Sequence, residues 1–438
     1  MLIFFFSRTP LAVPLSLLLL GFISAPSAQS SSPDLSGKTD DSIREVLRVV
    51  SRYQLKQFGP LKDGDYSPVT TIGAAEAARK PEGIGWNYPW GVTLYGVIRS
   101  TDATGDKEML DFALEHNRII ARYYAWLDSV RSHVSAADWS ALIHDNKKVK
   151  TGGLLRLGNL DACGAMGTQY LEGLLRQPTQ AIPEQKAVVA RIAEWIAAKQ
   201  ERLPDGTFWR PKAANVSKLM EPGTLWADDL YMACPFLVRW AAYTSDVEYL
   251  HDAAQNVINM AARLQDTDGV WFHAYFEKEK KRSPWKWGRA NGWVMVATAE
   301  ILSALPDKHP DRAKLLEILR RQIEGIKPLQ PASGVWRQVL DQSDLWEETS
   351  CTAMFAYSIA RAVNRGWIDP SNMAVARKAF AGICAGYITP DGRVNGTCEG
   401  TNIGLDVEFY ANRKRPDNDL HGRGVVLLAG TEIVAGKN

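Results

Sequence analysis

Cysteine is scarce: Cys163, Cys234, Cys351, Cys384 and Cys398 are the five in 438 residues, odd in number and widely spread. That excludes a disulfide framework, and no spacing resembles a metal site. Only Cys384 and Cys398 are near enough in sequence to pair locally. A surplus of one charge is missing too. Lys and Arg total 51 against 49 Asp and Glu, a formal net charge of +2, which excludes the strongly basic footprint of a nucleic-acid partner. Past the N-terminus no apolar run has the length of a membrane span. Alternating runs are few and short, which argues against a β fold. There is no Gly-rich phosphate loop after a strand, no Ser elbow and no His-rich cluster, so neither a cofactor nor a metal is expected.

What the chain does have is 46% hydrophobic residues, 23% charged residues and fifteen tryptophans. This is the composition of an ordinary globular protein long enough to bury a large core. The N-terminus reads as a secretory signal. Arg8 is the first charge, the next is Asp34, and the apolar stretch Leu11 to Ala25 is short and broken by Ser and Pro. Ala25-Pro26-Ser27-Ala28 offers a cleavage region. The expected organisation is therefore a signal peptide over 1–28, a linker over 29–39 and one domain over 40–438, in an exported protein, periplasmic or extracellular.

Helical periodicity runs through the rest. Asp40-Asp41 opens a helix with apolar Ile43, Val46, Leu47, Val50 and Tyr53. Further helices are predicted over 86–100, 107–128, 161–177, 184–203, 226–243, 246–265, 289–305, 311–327, 349–365, 371–388 and 420–435. Short Gly-aromatic or Gly-apolar turns recur among them, at Gly206, Gly269, Gly334 and Gly392. Each precedes a loop and a new helix, and three of those openings carry a tryptophan: Trp226, Trp287 and Trp346. A two-helix unit repeated at about sixty residues cannot bury its apolar faces alone and must stack on its neighbours. Six such hairpins close into a ring of inner and outer helices. An open solenoid satisfies the same repeat, but the chain does not end in an obvious polar cap. In a ring the inner helices run parallel, so their openings share one cavity and aim positive helix ends into it.

Those openings hold the candidate site. Asp161 and Asp228 occupy equivalent repeat positions and would face one another; like charges in a partly dry site keep a proton available. Two carboxylates around a pocket is also the arrangement of most glycosidases. Either Asp could equally be a plain N-cap. Asp229 should point elsewhere, as a cap or as a supporting neighbour. His273 follows one of the Gly-aromatic turns. Arg289, between Trp287 and Trp293, could grip a carboxylate in two-point fashion while the tryptophans stack on a sugar, or the three could form a core cation–π cluster. Lys218 is a loop cation, Tyr88 opens a helix inside Trp86-Asn87-Tyr88-Pro89-Trp90, and His421 opens the last one.

At these residues the chain resembles glycoside hydrolase family 105, the unsaturated rhamnogalacturonyl hydrolases, related to the unsaturated glucuronyl hydrolases of family 88. The resemblance rests on Trp226-Ala-Asp228-Asp-Leu230-Tyr231-Met232, Trp287-Gly-Arg289-Ala-Asn291-Gly292-Trp293 and Gly269-Val-Trp271-Phe-His273. Asn159-Leu-Asp161, Thr349-Ser-Cys-Thr352-Ala353-Met354-Phe355 and Asn418-Asp-Leu-His421-Gly422 support it. It implies an all-α (α/α)6 barrel acting on oligosaccharides that end in a Δ4,5-unsaturated uronic acid. By motif, Asp228 is the acid/base residue that protonates C4 while water adds at C5, Asp161 is the second carboxylate, and His273, Arg289 and Trp293 bind substrate. Asp229 and Ala290 depart from the pattern, where a small residue and a Gly are usual. The rival readings are a polysaccharide lyase on a similar barrel and a non-catalytic carbohydrate-binding barrel. The long charged loops at 204–220 and 277–286 are where leaving-group specificity is expected.

Overall fold

The computed structural model describes residues 39–144, 152–210 and 223–436. The expected signal peptide and linker up to residue 38, and Lys218, lie outside the described residues. Twelve helices build the architecture: α1 Asp40–Phe58, α2 Tyr88–Thr104, α3 Lys107–Arg131, α4 Gly164–Arg176, α5 Pro183–Glu194, α6 Asp229–Thr244, α7 Glu248–Leu264, α8 Gly288–Ala304, α9 Arg312–Ile326, α10 Thr349–Asn364, α11 Met373–Gly386 and α12 Leu420–Ala435. The even-numbered helices each pack on the even-numbered helix before and after, and α12 packs on α2, which closes an inner ring. Odd-numbered helices cover it from outside. This is the (α/α)6 barrel, not the open solenoid.

Local sequence explains where the elements begin. Thr39 caps α1, accepting from Ser42 N–H at 3.3 Å, and Asn87 caps α2, accepting from Trp90 N–H at 3.0 Å. The 86–100 helix therefore starts at Tyr88, with Pro89 in the first turn where its missing N–H costs nothing. Helix α5 ends at Glu194 and gives way to one π-turn over Trp195–Lys199, short of the expected residue 203. Outer helices are amphipathic, with α7 burying Leu250, Ala253, Ala254, Val257, Met260 and Leu264 on one side. Helix α12 is buried from His421 to Val434, as an inner helix must be.

Closure depends on bare backbone. A Cβ on Gly96 would fall 2.2 Å from the Gly424 carbonyl oxygen, and one on Gly424 would fall 2.0 Å from that of Val92. Helices α2 and α12 meet there without side chains between them. The repeat turns need glycine for a different reason: Gly206, Gly269, Gly334 and Gly392 have φ between +84° and +94°.

Ionic groups fill the end of the barrel where the inner helices finish. Glu300 accepts from Tyr95 Oη at 3.0 Å, Arg239 at 2.9 Å and Arg361 at 3.4 Å, and also from Tyr357. Burial alone would raise its pKa, but Arg239, Arg361 and Arg99 hold the carboxyl well below its usual range. Guanidinium groups here also face the negative ends of the inner helices. The opposite end is left for the cavity.

No disulfide joins Cys384 and Cys398. The Cys398 thiol instead accepts from Gln338 Nε2 at 3.0 Å. A three-stranded antiparallel sheet, unmarked by any strong alternation, stands at the cavity rim. Its strands are β1 Thr224–Trp226, β2 Ala274–Phe276 and β3 Lys281–Arg282, in that order.

Candidate active site

The inner-helix openings converge on a cavity of about 200 Å³. Tyr88, Asn159, Asp161, Arg210, Trp226 and Asp228 line it, and Met232 with residues 400–402 completes it. Drug-sized ligands need about 300–1,000 Å³, so this space suits a single sugar ring.

Neither carboxylate of the Asp228-Asp229 pair caps α6. Asp228 stands at the N-cap position but makes no side-chain cap bond, and the Asp229 carboxylate is turned into the protein. The expected role of Asp229 as a cap is thus corrected. It is fully buried and takes two bonds from Arg210 Nε, at 2.9 and 3.1 Å, plus a further one from Nη2. The same guanidinium reaches Asp161 through Nη2 at 3.0 Å and Nη1 at 3.2 Å, and lies over the Trp226 ring at 4.4 Å. Asp161 and Asp229 are therefore joined through one cation. Burial raises the Asp229 pKa above its ordinary 3.8; Arg210 opposes the shift, and Asp161 and Asp228 add to it. Two carboxylates share one guanidinium with a third close by, so the cluster is short of positive charge and favours a proton on Asp229.

Asp228 has a different neighbour. Its Oδ2 lies 3.2 Å from His273 Nε2. Both atoms are buried, the two are not aligned as a hydrogen bond, and neither has another partner among the described residues. Behind the ring, His273 Nδ1 lies 2.8 Å from Tyr410 Oη, which itself accepts from Gly404 N–H at 3.0 Å. A phenol donating to Nδ1 would place the imidazole proton on Nε2, facing Asp228. Trp226 and Trp287 flank the ring, at 5.6 and 4.6 Å between centroids.

The structure thus brings Tyr88, Asp161 and Asp228 together on the cavity wall, with His273 buried behind Asp228 and His421 behind Tyr88. Tyr88 and His421 form a pair through Oη and Nε2, and Asp419 holds the other face of the imidazole. Burial, followed by Arg289, lowers the His421 pKa against the pull of Asp419.

Three expected substrate contacts are corrected. Trp293 is 1% exposed, stacks on Tyr231 at 4.3 Å beneath the cavity and does not line it. Trp287, also 1% exposed, backs His273 rather than facing a sugar. Arg289 donates to the carbonyls of Cys398 and Glu399 at 2.5 and 2.6 Å, with Glu348 3.8 Å away. Its guanidinium holds the segment that supplies Gly400, Thr401 and Asn402 to the cavity. Trp293 lies more than a turn inside α8, while Trp287 and Arg289 stand at its opening and are covered there by His273 and by the carbonyls of Cys398 and Glu399.

Arg210 and Tyr410 are absent from the sequence reading. Arg210 had a signal, since it follows Gly206 by four residues as His273 follows Gly269. Tyr410 had none, because only the fold brings it to His273. Among the described residues, one group has its ligand atoms within metal-binding reach: His251, His309 and Asp311, all within 4.8 Å of one another. It stands where α7 and α9 begin, at the end of the barrel away from the cavity.

A family model described as Glycosyl Hydrolase Family 88 matches residues 70–436. The chain belongs to glycosyl hydrolase family 88. It is 32% identical over 216 residues to an unsaturated 3S-rhamnoglycuronyl hydrolase of Alteromonas sp. (strain LOR), an alignment spanning 48% of this chain and about half, 51%, of that protein. With the unsaturated rhamnogalacturonyl hydrolase YesR of Bacillus subtilis (strain 168), identity is 25% over 354 residues, covering 80% of this chain and 90% of the relative. A solved structure of a possible member of the GH105 family from Salmonella enterica subsp. enterica serovar Paratyphi A superposes with a TM-score of 0.68 at 22% identity. That match covers 91% of this chain and 95% of the other, and it shows the shared barrel. In this family 88 chain, the inner-helix openings converge on the cavity bounded by Asp161, Asp228 and Arg210.

Proposed function

We propose that this family 88 enzyme removes a terminal Δ4,5-unsaturated uronic acid from lyase-generated oligosaccharides by hydrating the C4=C5 bond, with rhamnogalacturonan-type fragments as the favoured class. The observation that carries the reading is the pair Asp228 and His273: an acid lining a one-ring cavity, backed by an imidazole with its Nε2 turned toward it. The names borne by the two relatives support it, since both denote unsaturated uronyl hydrolases.

In this mechanism Asp228 gives its proton to C4 of the vinyl ether. Water bonds to C5 as its proton passes to the carboxylate, which restores the acid. The resulting hemiketal opens to a 5-ketone, and the hemiacetal left at C1 expels the rest of the oligosaccharide as an alcohol. Positive charge developing at C5 is stabilised by the wall carboxylates of Asp161 and Asp228. Tyr88, Thr401 and Asn402 offer polar contacts to the ring and its carboxylate.

Unsaturated oligosaccharides from a polysaccharide lyase provide the test, followed by the ultraviolet absorbance of the conjugated double bond. The expected result is loss of absorbance with release of a saturated aglycone, and a fall in kcat of about 10²–10⁴ for Asp228→Asn. Absorbance gained from intact polymer would identify a lyase. No change would leave a binding barrel.

A further inference from the structure

His251, His309 and Asp311 lie outside the site already described, with their ligand atoms within 4.8 Å of one another. His251 is on the first turn of α7, while His309 and Asp311 flank Pro310 just before α9. These two outer helices belong to neighbouring hairpins and pack side by side. Sixty residues separate His251 from Asp311, so no local spacing marks the group.

An ordinary surface ion pair does not account for this arrangement. Asp311 occupies the N-cap position of α9 but makes no side-chain cap bond there, although capping is the usual work of Asp at a helix start. Its carboxylate turns instead to both imidazoles, with Oδ2 3.0 Å from His251 Nδ1 and 3.7 Å from His309 Nδ1. His309 Nδ1 also accepts the backbone N–H of Asp311 at 3.2 Å, so that nitrogen carries a lone pair and no hydrogen. A lone pair and a carboxylate oxygen therefore face each other without a proton between them, and a cation is what would suit that gap.

We infer that His251, His309 and Asp311 bind a divalent transition metal of the zinc class, with water in the fourth position, and that the ion ties α7 to α9. Zinc holds His nitrogens and carboxylate oxygens at about 2.0–2.2 Å in a tetrahedron, which puts its ligand atoms about 3.3–3.5 Å apart. The separations of 3.0 and 3.7 Å fall on either side of that edge. Two imidazoles favour such a metal over magnesium or calcium, which take oxygen shells. On binding, the proton through which His251 Nδ1 reaches the carboxylate shifts to Nε2, and His309 exchanges the Asp311 N–H for the metal. Pro310 restricts the backbone between His309 and Asp311, so two of the three ligands are held in place beforehand. His251, whose side chain is 48% exposed, leaves the way in for the ion. The positive starts of α7 and α9 oppose a cation here; the negative ends of α6 at Thr244 and α8 at Ala304, a few residues away in the chain, offset them. This site is independent of the reaction at Asp228.

Calorimetry on the untagged full chain tests the inference, with zinc, magnesium and calcium chlorides as probes. Zinc is expected to bind at one equivalent, and the other two not to compete with it. His251→Ala should weaken zinc about 10–100-fold or more, since even the loss of a supporting partner costs a metal site that much. His251→Ala/His309→Ala should abolish binding. The exposed His251 can be replaced without touching the core, so the single variant reports on the metal alone, and circular dichroism checks that both variants fold. Saturating zinc should raise the wild-type Tm by about 2–5 °C and leave that of the double variant unmoved. Zinc binding that survives in the double variant, displacement of zinc by calcium or magnesium, a Tm that zinc does not raise, or no zinc binding by folded wild type would each overturn the inference.

Discussion

His273 Nε2 faces Asp228 Oδ2 across 3.2 Å, and the phenol oxygen of Tyr410 stands 2.8 Å from the other ring nitrogen, Nδ1. The arrangement needs the whole barrel: Asp228 opens the third inner helix, His273 follows a repeat turn, and Tyr410 comes from the long connection before the last helix.

Tyr410→Phe removes the donor to Nδ1 and leaves Gly404 N–H without its acceptor. The proton is then free to move to Nδ1, away from Asp228. A fall in kcat of about tenfold with little change in KM is expected, at a stability cost of about 0.5–1.5 kcal/mol. Nitrogen NMR of His273 should report the Nε2–H tautomer in wild type and its loss in the variant. An unchanged tautomer would remove Tyr410 from its positioning role.

Asp229 gives the protein a pH signature. A carboxyl whose folded value lies above its unfolded 3.8 contributes its stabilisation fully below 3.8 and loses it as pH climbs through the folded value. Asn at this position does not titrate. Wild type should therefore gain stability relative to Asp229→Asn as pH falls from 7 to about 4, by about 1.4 kcal/mol for each unit of the shift. Denaturant unfolding across that range checks it. A difference that grows in favour of wild type toward neutral pH would mean that Arg210 outweighs burial.

Arg289→Ala leaves the buried Cys398 carbonyl without its donor, takes one of two donors from the Glu399 carbonyl, and leaves Glu348 without its cation. A stability loss of about 3–5 kcal/mol is expected. Where the variant still folds, KM should rise more than kcat falls, because Gly400, Thr401 and Asn402 lose their support. Arg289→Lys, retaining one donor group, should recover part of the stability. A kcat effect with KM unmoved would place Arg289 in direct contact with the reacting sugar.

Most of the fold was legible because its information is local and repeated. Apolar spacing located the twelve helices to within a few residues, except at the C-terminal end of α5, which stops at Glu194. The glycine turns gave the repeat, and the repeat gave the common end for Asp161, Asp228 and His273. What stayed hidden was relational. Trp293 is the sixth residue of α8 and is core by its depth, whereas Arg289, second in the same helix, is covered by the carbonyls of Cys398 and Glu399 from a connection far along the chain. Tyr410 lies in a connection with no repeat partner, so no spacing could assign it to His273. The sheet beside the cavity is built from strands of three, three and two residues, too short for alternation to register.

Gly424→Ala tests the closing seam directly. The new Cβ would stand 2.0 Å from the Val92 carbonyl oxygen, and backbone on both sides leaves no side chain to move aside. Loss of soluble folded protein, or destabilisation beyond about 3 kcal/mol, is expected. Circular dichroism with size-exclusion chromatography measures it, and a Tm equal to wild type would show that the two helices can part at no cost.

The same seam sets an order of events during synthesis. Helix α2 waits, with its bare face toward solvent, until α12 at the far end of the chain has emerged to cover it. Such contacts between distant parts of the sequence are slow to form, and the unclosed ring exposes apolar surface until they do. The cavity is then a product of ring closure: its wall is complete only once α12 has met α2.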